Sequence, residues 1–521
     1  MPVIKINRKF LLVISLVYIY LPIAIFLVGW TRPYVAMACL SVLFICAVRC
    51  CRQAKRELVL TNKESDNGIR ISLGMLELAL FFFICIGYYA GYGRFTDQAG
   101  DWAKHNAVLA DLVNKQWPVY YENGDEHSML TYYIAQYIVP GVIGKLSESF
   151  RYAEISLYVW NVAGIFLVFL HLISFIKARR TSSQLVCAAA IPFFAIPIWF
   201  SRLVLKYFTG NVRDYGHGVN AINWYYASDN YGSDGISLQY FDNFYHLRWT
   251  FPQVITIWLI IMLLLEYRSY VRYFVIILLP GLLFSSLSFL GLLPLALGAA
   301  IERMVRERGR NFIQQIFSFE NLSVTLTIGI VFLLYLYGNV TGDKPAKVNF
   351  RWLVYTKSTA AGYLTFVMSI VIYALVLFRD HRKDGIYYAA FATLLLLPFC
   401  RMGLWNDLLT RASIPALFIL MVYVILFLKQ EFDSSKADFL NSSKVAICLV
   451  FLTVGAYYPF HEFSACVDSE DYHRLGHVTG WPSLEVYANR KLKQSDDVKY
   501  NYYSYDLENN IFYKYIAPDI R

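Results

Sequence analysis

FVIILLPGLLFSSLSFLGLLPLALGAAI (274–301) is an apolar run of 28 residues, too long for one simple membrane crossing and too short for two full ones. A bilayer core of roughly 30 Å takes about 20 apolar helical residues to cross. The flanks decide how the run is read. Arg268 and Arg272 precede it, and Arg303, Arg306, Arg308 and Arg310 follow it, so the positive-inside rule puts both ends in the cytoplasm. The stretch must go in and come back, as two short helices turning near Ser286 to Ser288.

Outward from this hairpin, further spans are expected over Phe10 to Trp30, Pro33 to Val48, Ile71 to Tyr89, Ile155 to Ile176, Leu185 to Leu205 and Pro252 to Leu265. Later ones cover Leu322 to Tyr337, Ala360 to Phe378, Ile386 to Phe399, Ala412 to Leu428 and Val445 to Phe460. The first follows Lys5, Arg8 and Lys9, lacks a small-residue cleavage site and exceeds a signal-peptide core, so it reads as a retained span. The fold class is therefore an all-α polytopic membrane protein of about thirteen transmembrane helices. Its N-terminus is expected in the cytoplasm and its C-terminus outside. The basic loops RCCRQAKRE (49–57), KARR (177–180) and RDHRK (379–383) all fall inside on this layout. Four larger pieces fall outside: Gly91 to Glu154, Tyr207 to Phe251, Gly338 to Thr359 and a tail from His461 to Arg521.

Three regions follow: an N-terminal transmembrane hairpin with its basic loop (1–70), a main transmembrane module with outer loops 91–154 and 207–251 (71–460), and a small external tail (461–521). The tail is too short for a robust core of its own and is expected to pack back on the outer loops. Met129 to Leu146 is apolar and carries Tyr132, Tyr133 and Tyr137. If it crossed, every later loop would invert, so it is read as an interfacial helix.

Composition agrees. The 521 residues are 57% hydrophobic and only 16% charged, with a mean hydropathy of +0.44. An ordinary soluble domain is about a quarter charged. The net charge of +10 is dispersed among membrane loops, which explains it by orientation and excludes nucleic acid as a partner. Nine cysteines form no CxxC pair, and Cys39, Cys46, Cys85, Cys187 and Cys448 sit inside apolar runs, so neither a disulfide framework nor a zinc site is expected.

Pumps and transporters carry ionisable groups mid-span. Here Glu77 and His171 are the main candidates, and each is read as a helix-packing or interior polar group rather than part of a pathway. The polar residues gather instead at the outer ends of the spans. The first outer loop begins GRFTDQAGDWAKHNAVLADLVNKQWPVYY (93–121), with Asp97 and Asp101 emerging directly from a span. From Asp101 the pattern is amphipathic, with Trp102, Leu109, Leu112 and Val113 on one face and Asp101, Lys104, Asp111 and Lys115 on another. Such a helix is expected on the membrane surface. Asp101 and His105 share its first turn. Asp101 reads either as a helix N-cap or as a catalytic carboxylate, and His105 either as an interfacial histidine or as its partner.

The stretches GDWAKHNAVLADL (100–112), QWPVYY (116–121) and LTYYIAQYIVPGVIGKL (130–146), in this order before the span from Ile155, resemble the first outer loop of the GT-C glycosyltransferases. Among these, the aminoarabinose and protein mannosyl transferases have the most similar arrangement. The resemblance is architectural over most of the chain and residue-specific across about 97–146. It implies a membrane enzyme that takes a sugar from a polyprenyl-phosphate-linked donor and transfers it to a glycan or glycolipid acceptor among the membrane lipids. O-antigen is one such acceptor, and a bacterial inner membrane is the implied setting. Two departures stand out. The acidic loop follows the third span rather than the first, and Trp102 stands where an acidic neighbour is common, which weakens the case for a divalent metal.

The chemistry fits one carboxylate. An acceptor hydroxyl needs a positioned base, whereas a sugar phosphate already carries a good leaving group; a glycosidase normally needs two carboxylates. Asp101 is the expected base, with Asp97 in reserve and His105 beside it, and attack in line inverts the anomeric centre. The leaving phosphate needs cations. Candidates are Arg248 in YHLRWTFPQ (245–253), Lys344 and Lys347 in GDKPAKVNFRW (342–352), and above all Arg401 and Arg411, which flank Asn406 and Asp407 in RMGLWNDLLTR (401–411). Trp102, His246, Asn406 and Asp407 are the expected sugar or acceptor contacts. The second outer loop adds Asp214, His217, Asp229, Asp234 and Asp242 without HxH, HExxH or repeated DxD spacing. Its Trp224, Tyr225, Tyr226, Tyr231 and Tyr240 serve either sugar stacking or an interfacial belt. An oligosaccharide polymerase or ligase shares the lipid-linked donor but typically places its major outer loop late. A lipid-linked-sugar flippase requires a polar path through the bundle.

Overall fold

Hydrocarbon offers a backbone no hydrogen-bond partners, so apolar runs of this length fold as helices. The computed structural model describes residues 2–60, 68–96, 98, 100–123, 126–198, 225–226, 237–306, 309, 311–339, 350–355, 357–403, 406–433, 439–468, 482–486, 502–504 and 507–518. In chain order the main helices are α1 (Arg8–Trp30), α2 (Pro33–Leu60), α3 (Leu73–Tyr89), α4 (Trp102–Asn114), α5 (Ala135–Leu146), α6 (Phe150–Ile176), α7 (Thr181–Phe193) and α8 (Asn243–Trp249). They continue with α9 (Ile255–Tyr267), α10 (Ser286–Arg306), α11 (Lys357–His381), α12 (Gly385–Leu396), α13 (Asp407–Ala412), α14 (Ile414–Asp433) and α15 (Phe439–Asp468).

Among the described residues seven helices are long and apolar enough to cross a membrane: α1, the first part of α2, α6, α10, Phe312–Tyr337, α13 with α14, and most of α15. An eighth crossing results if α8 and the following helix, bent by 110° at their junction, form one broken span. Leu73–Tyr89, Thr181–Phe193, Val271–Phe284 and Gly385–Phe399 are apolar but shorter. The expected turn within 274–301 falls at Ser285, whose extended backbone (φ −168°, ψ 108°) separates Gly281–Phe284 from α10. Its Oγ accepts from the Ser288 amide at 3.2 Å. The second half of the expected span Leu185 to Leu205 lies outside the described residues.

The helix apolar on every side is the central one: α9 is buried from Ile255 through Leu265. It packs on α6 and α14, and α6 also packs on α1, α3 and α5. At the α10–α12 crossing, a Cβ on Gly298 would stand 2.3 Å from the Gly385 carbonyl, so small residues let the backbones touch. Polar groups tie these apolar helices together. Ser15 Oγ is 2.9 Å from His171 Nε2, and His171 Nδ1 is 2.9 Å from Glu266 Oε2. A second set joins Gln136 Nε2 to Asn161 Oδ1 at 2.6 Å and Thr256 Oγ1 to Gln136 Oε1 at 3.1 Å. His171 is thus a helix-packing group, while Glu77 lies on the exposed face of α3.

Short strands qualify the all-α expectation. β1 (Val3–Asn7) pairs antiparallel with β2 (Gly68–Ser72). β3 (Tyr120–Asn123) and β4 (Glu126–Leu130) form a hairpin, and the tail adds β5 (Tyr503–Ser504) to its edge. This corrects the reading of Met129 to Leu146: Met129 and Leu130 are strand residues paired with the tail. α5 begins at Ala135 and is buried through Gly141 rather than lying on a surface. α4 is corrected likewise, because Lys104, His105, Asn106 and Asp111 on its polar side are buried as well. The tail supplies the cover. The Asp111 carboxylate accepts from Tyr121 Oη at 2.7 Å, the Leu484 amide at 2.9 Å and Ser483 Oγ at 3.2 Å.

The bundle has two chemically different ends. At one, Arg8, Arg70, Lys177 and Arg179 line a cleft, and Arg268, Arg306 and Lys383 line another. α1 runs from there for roughly 35 Å at 1.5 Å per residue to the other end. There Arg32 donates to the carbonyls of Ala517 (2.9 Å) and Lys514 (3.2 Å) in the tail. The β3–β4–β5 sheet and α4 belong to this second end.

Candidate functional site

α3 leads into α4 through a turn that folds back on itself. Gln98 donates to the Gly91 carbonyl at 2.7 Å and accepts from Asn106 at 2.6 Å. Gly100, at φ +53°, lies against the Trp249 ring, which a Cβ there would meet at 3.1 Å. Glycine is therefore required at this position both by its left-handed backbone and by the indole above it.

Asp101 occupies the N-cap position of α4 but does not cap it. Its backbone is helical (φ −65°, ψ −16°), and its side chain makes no capping hydrogen bond. The carboxylate instead stands 3.4 Å from Lys104 Nζ and keeps 47% of its surface exposed. Burial by the surrounding protein pushes its pKa up, but the charges of Lys104 and Arg411 outweigh that effect and hold it below the ordinary 3.8. A half-exposed carboxylate within electrostatic range of a cation from the far side of the sequence is the centre of the site.

His105 is fixed from both sides. Its Nε2 donates to the Trp249 carbonyl at 3.0 Å, which leaves Nδ1 to accept from the Tyr137 hydroxyl. Burial drives its pKa down to about 3. The ring is a neutral post that ties α4, α5 and α8 together, so its part here is positional rather than proton transfer with a ligand.

Arg411 comes from α13. Its Nη1 donates to Thr410 Oγ1 at 3.1 Å and its Nη2 lies 3.8 Å from Asp407. Asp407, Tyr133, Tyr245 and Asp101 are within electrostatic range of it. His246 is buried beside it: Nδ1 is 2.9 Å from Thr250 Oγ1, while Nε2 is buried with no hydrogen-bond partner among the described residues. Four separate pieces of chain therefore converge on one polar group: α4, residues 131–134, α8 and α13.

Two expected ligand contacts take other positions. Trp102 is buried (1% exposed) between Tyr92 and Phe251, so it lies beneath the site and offers no face to a sugar. Arg248 is not an open cation. Its guanidinium is buried 3.3 Å from Glu462 and stacked 4.5 Å over the Trp249 ring, and it stiffens the wall rather than awaiting a phosphate. Arg401 is buried in a two-residue strand opposite Arg351. Asn406, at φ +54°, accepts from the Met402 amide at 3.3 Å and shapes the turn into α13. Asp97, Lys344, Lys347, Asp214, His217, Asp229 and Asp234 lie outside the described residues, as do Trp224 and Tyr231. Among the described residues no group of three His, Cys, Asp or Glu side chains stands close enough to hold a metal ion.

The residues not singled out from sequence are Trp249, Glu462 and Tyr245, while Tyr133 was read only as part of an interfacial helix. Glu462 accepts from the Trp249 indole at 3.0 Å as well as from Arg248. Its signal was a lone carboxylate closing an apolar run, since α15 continues past the expected span end to Asp468. No family model matches the sequence, no curated protein matches it, and no solved structure matches the fold.

Proposed function

We propose that this protein is a GT-C type glycosyltransferase. It moves a hexosyl unit from a polyprenyl-phosphate-linked donor to a surface glycan or lipid acceptor, such as O-antigen, with inversion. The supporting observation is Asp101: a carboxylate relieved of any capping role, exposed, and within electrostatic reach of Arg411. In the step, Asp101 takes the proton of the acceptor hydroxyl as its oxygen bonds to the anomeric carbon. The bond from that carbon to the phosphate oxygen breaks, and its electron pair leaves with the polyprenyl phosphate.

The lowered pKa makes Asp101 ready to accept a proton but a weak base in the empty site. A donor phosphate seated against Arg411 and Lys104 offsets the charges that hold the pKa down, so donor binding itself raises the basicity of Asp101. Tyr133, Tyr245 and the half-buried Trp249 supply aromatic faces around the same group. In the cell, the end carrying Asp101 faces outward from a bacterial inner membrane, the basic end and the N-terminus face the cytoplasm, and the spans number thirteen. The test is release of polyprenyl phosphate from polyprenyl-phosphate-linked hexoses by purified protein in the presence of glycan acceptors. No release from any such donor, with the protein folded and the donor bound, rejects the reading.

A further inference from the structure

At the end of the bundle opposite Asp101, a cavity of ≈ 240 Å³ opens between Phe175 and Leu426, with Arg268, Arg306 and Lys383 among its lining groups. At about 30 Å³ per water, it has room for roughly eight waters, hence for a phosphate group with a short stem.

The chemistry of the lining is one-sided in what remains available. Asp384 is saturated: Oδ1 accepts from the Ile386 and Tyr387 amides at 3.0 and 3.3 Å. Its Oδ2 receives Tyr423 Oη at 2.9 Å and Arg268 Nη1 at 3.0 Å, with His381 Nδ1 3.5 Å away. Arg306 uses Nη2 on Glu302 at 2.6 Å and Arg268 uses Nη1, so each guanidinium keeps N–H groups beyond these contacts. Lys383 is exposed, and its ammonium adds three donors. Asp380 is the second lining carboxylate, and Glu302 lies 3.9 Å from Arg268 as well as against Arg306. The cavity is rich in donors and poor in free acceptors, and it lies where several apolar helices end, the position at which basic pockets between membrane helices take lipid headgroups.

We propose that this cavity binds a phosphate-bearing anion, its phosphate held by Lys383, Arg306 and Arg268 and its stem lying along Phe175 and Leu426. The site is separate from the one containing Asp101 and does not depend on the transferase reading. A phospholipid headgroup and a soluble phosphoester share this chemistry, and the experiment distinguishes them.

The thermal midpoint of the full chain in neutral detergent is followed while phosphatidylglycerol, phosphatidylcholine, glycerol 3-phosphate or inorganic phosphate is added. Ligand that binds only the folded state raises the midpoint saturably. A saturable rise with phosphatidylglycerol that exceeds the rise with phosphatidylcholine and is absent with the soluble phosphates identifies a lipid headgroup. A rise with glycerol 3-phosphate or inorganic phosphate identifies a soluble source. In either case Lys383→Gln weakens the apparent affinity roughly tenfold, whereas Arg52→Gln, which removes another exposed cation near the same end, leaves it unchanged. No saturable rise with any probe, or equal losses in the two variants, overturns the proposal.

Discussion

Asp101 heads α4 without capping it, and this separates chemistry from stability at a single residue. Asp101→Asn keeps size and shape and removes proton acceptance, so turnover should fall roughly a hundredfold or more. Because no cap is lost and Asn can still accept from Lys104, Asp101→Asn should stay within about 1 kcal/mol of the parent in stability, whereas Asp101→Ala takes a partner from the buried Lys104 ammonium and should cost about 1–3 kcal/mol. Thermal midpoints and turnover measured on the same preparations check both halves, and full activity of Asp101→Asn removes this residue as the base. Arg411→Ala should weaken donor use by about 1.5–3 kcal/mol, with Lys restoring only part, since an ammonium cannot reproduce a guanidinium fork; unchanged kinetics would take Arg411 out of the site. His105 predicts a pH signature in stability. Its folded pKa of about 3 lies below the ordinary 6.5, so the unfolded chain binds the extra proton. Its contribution is full above pH 6.5 and is lost as pH falls toward 3. The gap in thermal midpoint between the parent and His105→Asn should therefore narrow on acidification, and a constant gap would mean that the ring is not buried neutral.

At the scale of helices, the polar rungs through α1, α6 and α9 are the exposed weakness of an otherwise apolar bundle. His171→Leu leaves the Glu266 carboxylate without the ring nitrogen now 2.9 Å from it, and the cost should be about 1–3 kcal/mol. A thermal midpoint unchanged from the parent would show that Glu266 finds another partner. What was legible in sequence follows the same division. A break in 274–301 was readable because flanking arginines constrain it locally, although it falls at Ser285 and the expected Ser286 to Ser288 open α10, and α1 was readable as one uninterrupted apolar run. The burial of the polar face of α4 was not, because the group that covers it, the Leu484 amide on Asp111, is 373 residues away in sequence. Arg248 was misread for the same reason: alone it is a cation beside an aromatic, and only Glu462, 214 residues further on, turns it into a buried strut. Asp101 and Arg411 were each visible as site candidates, whereas the fold alone brings Arg411, 310 residues further on, within electrostatic range of Asp101.

Across the whole molecule, basic residues collect at one end and the sheet, α4 and the tail at the other. Ser147→Cys, on an exposed position before α6, should react with a membrane-impermeant thiol reagent in intact cells. Arg382→Cys, on the exposed loop before α12, should react only after permeabilisation. The reverse pattern would invert the molecule and place Asp101 on the cytoplasmic side.

The tail that braces α4 also sets a schedule. Asp101 is synthesised early, yet Ser483, Leu484 and Tyr503, which hold its helix and the adjacent hairpin, emerge about 400 residues later, roughly 20–80 s at 5–20 residues per second. Throughout that interval α4 is in place without its cover. A ribosome that stalls or a chain cut short before the last segment therefore leaves Asp111 without its Ser483 and Leu484 partners, so that a finished site around α4 itself reports completion of synthesis.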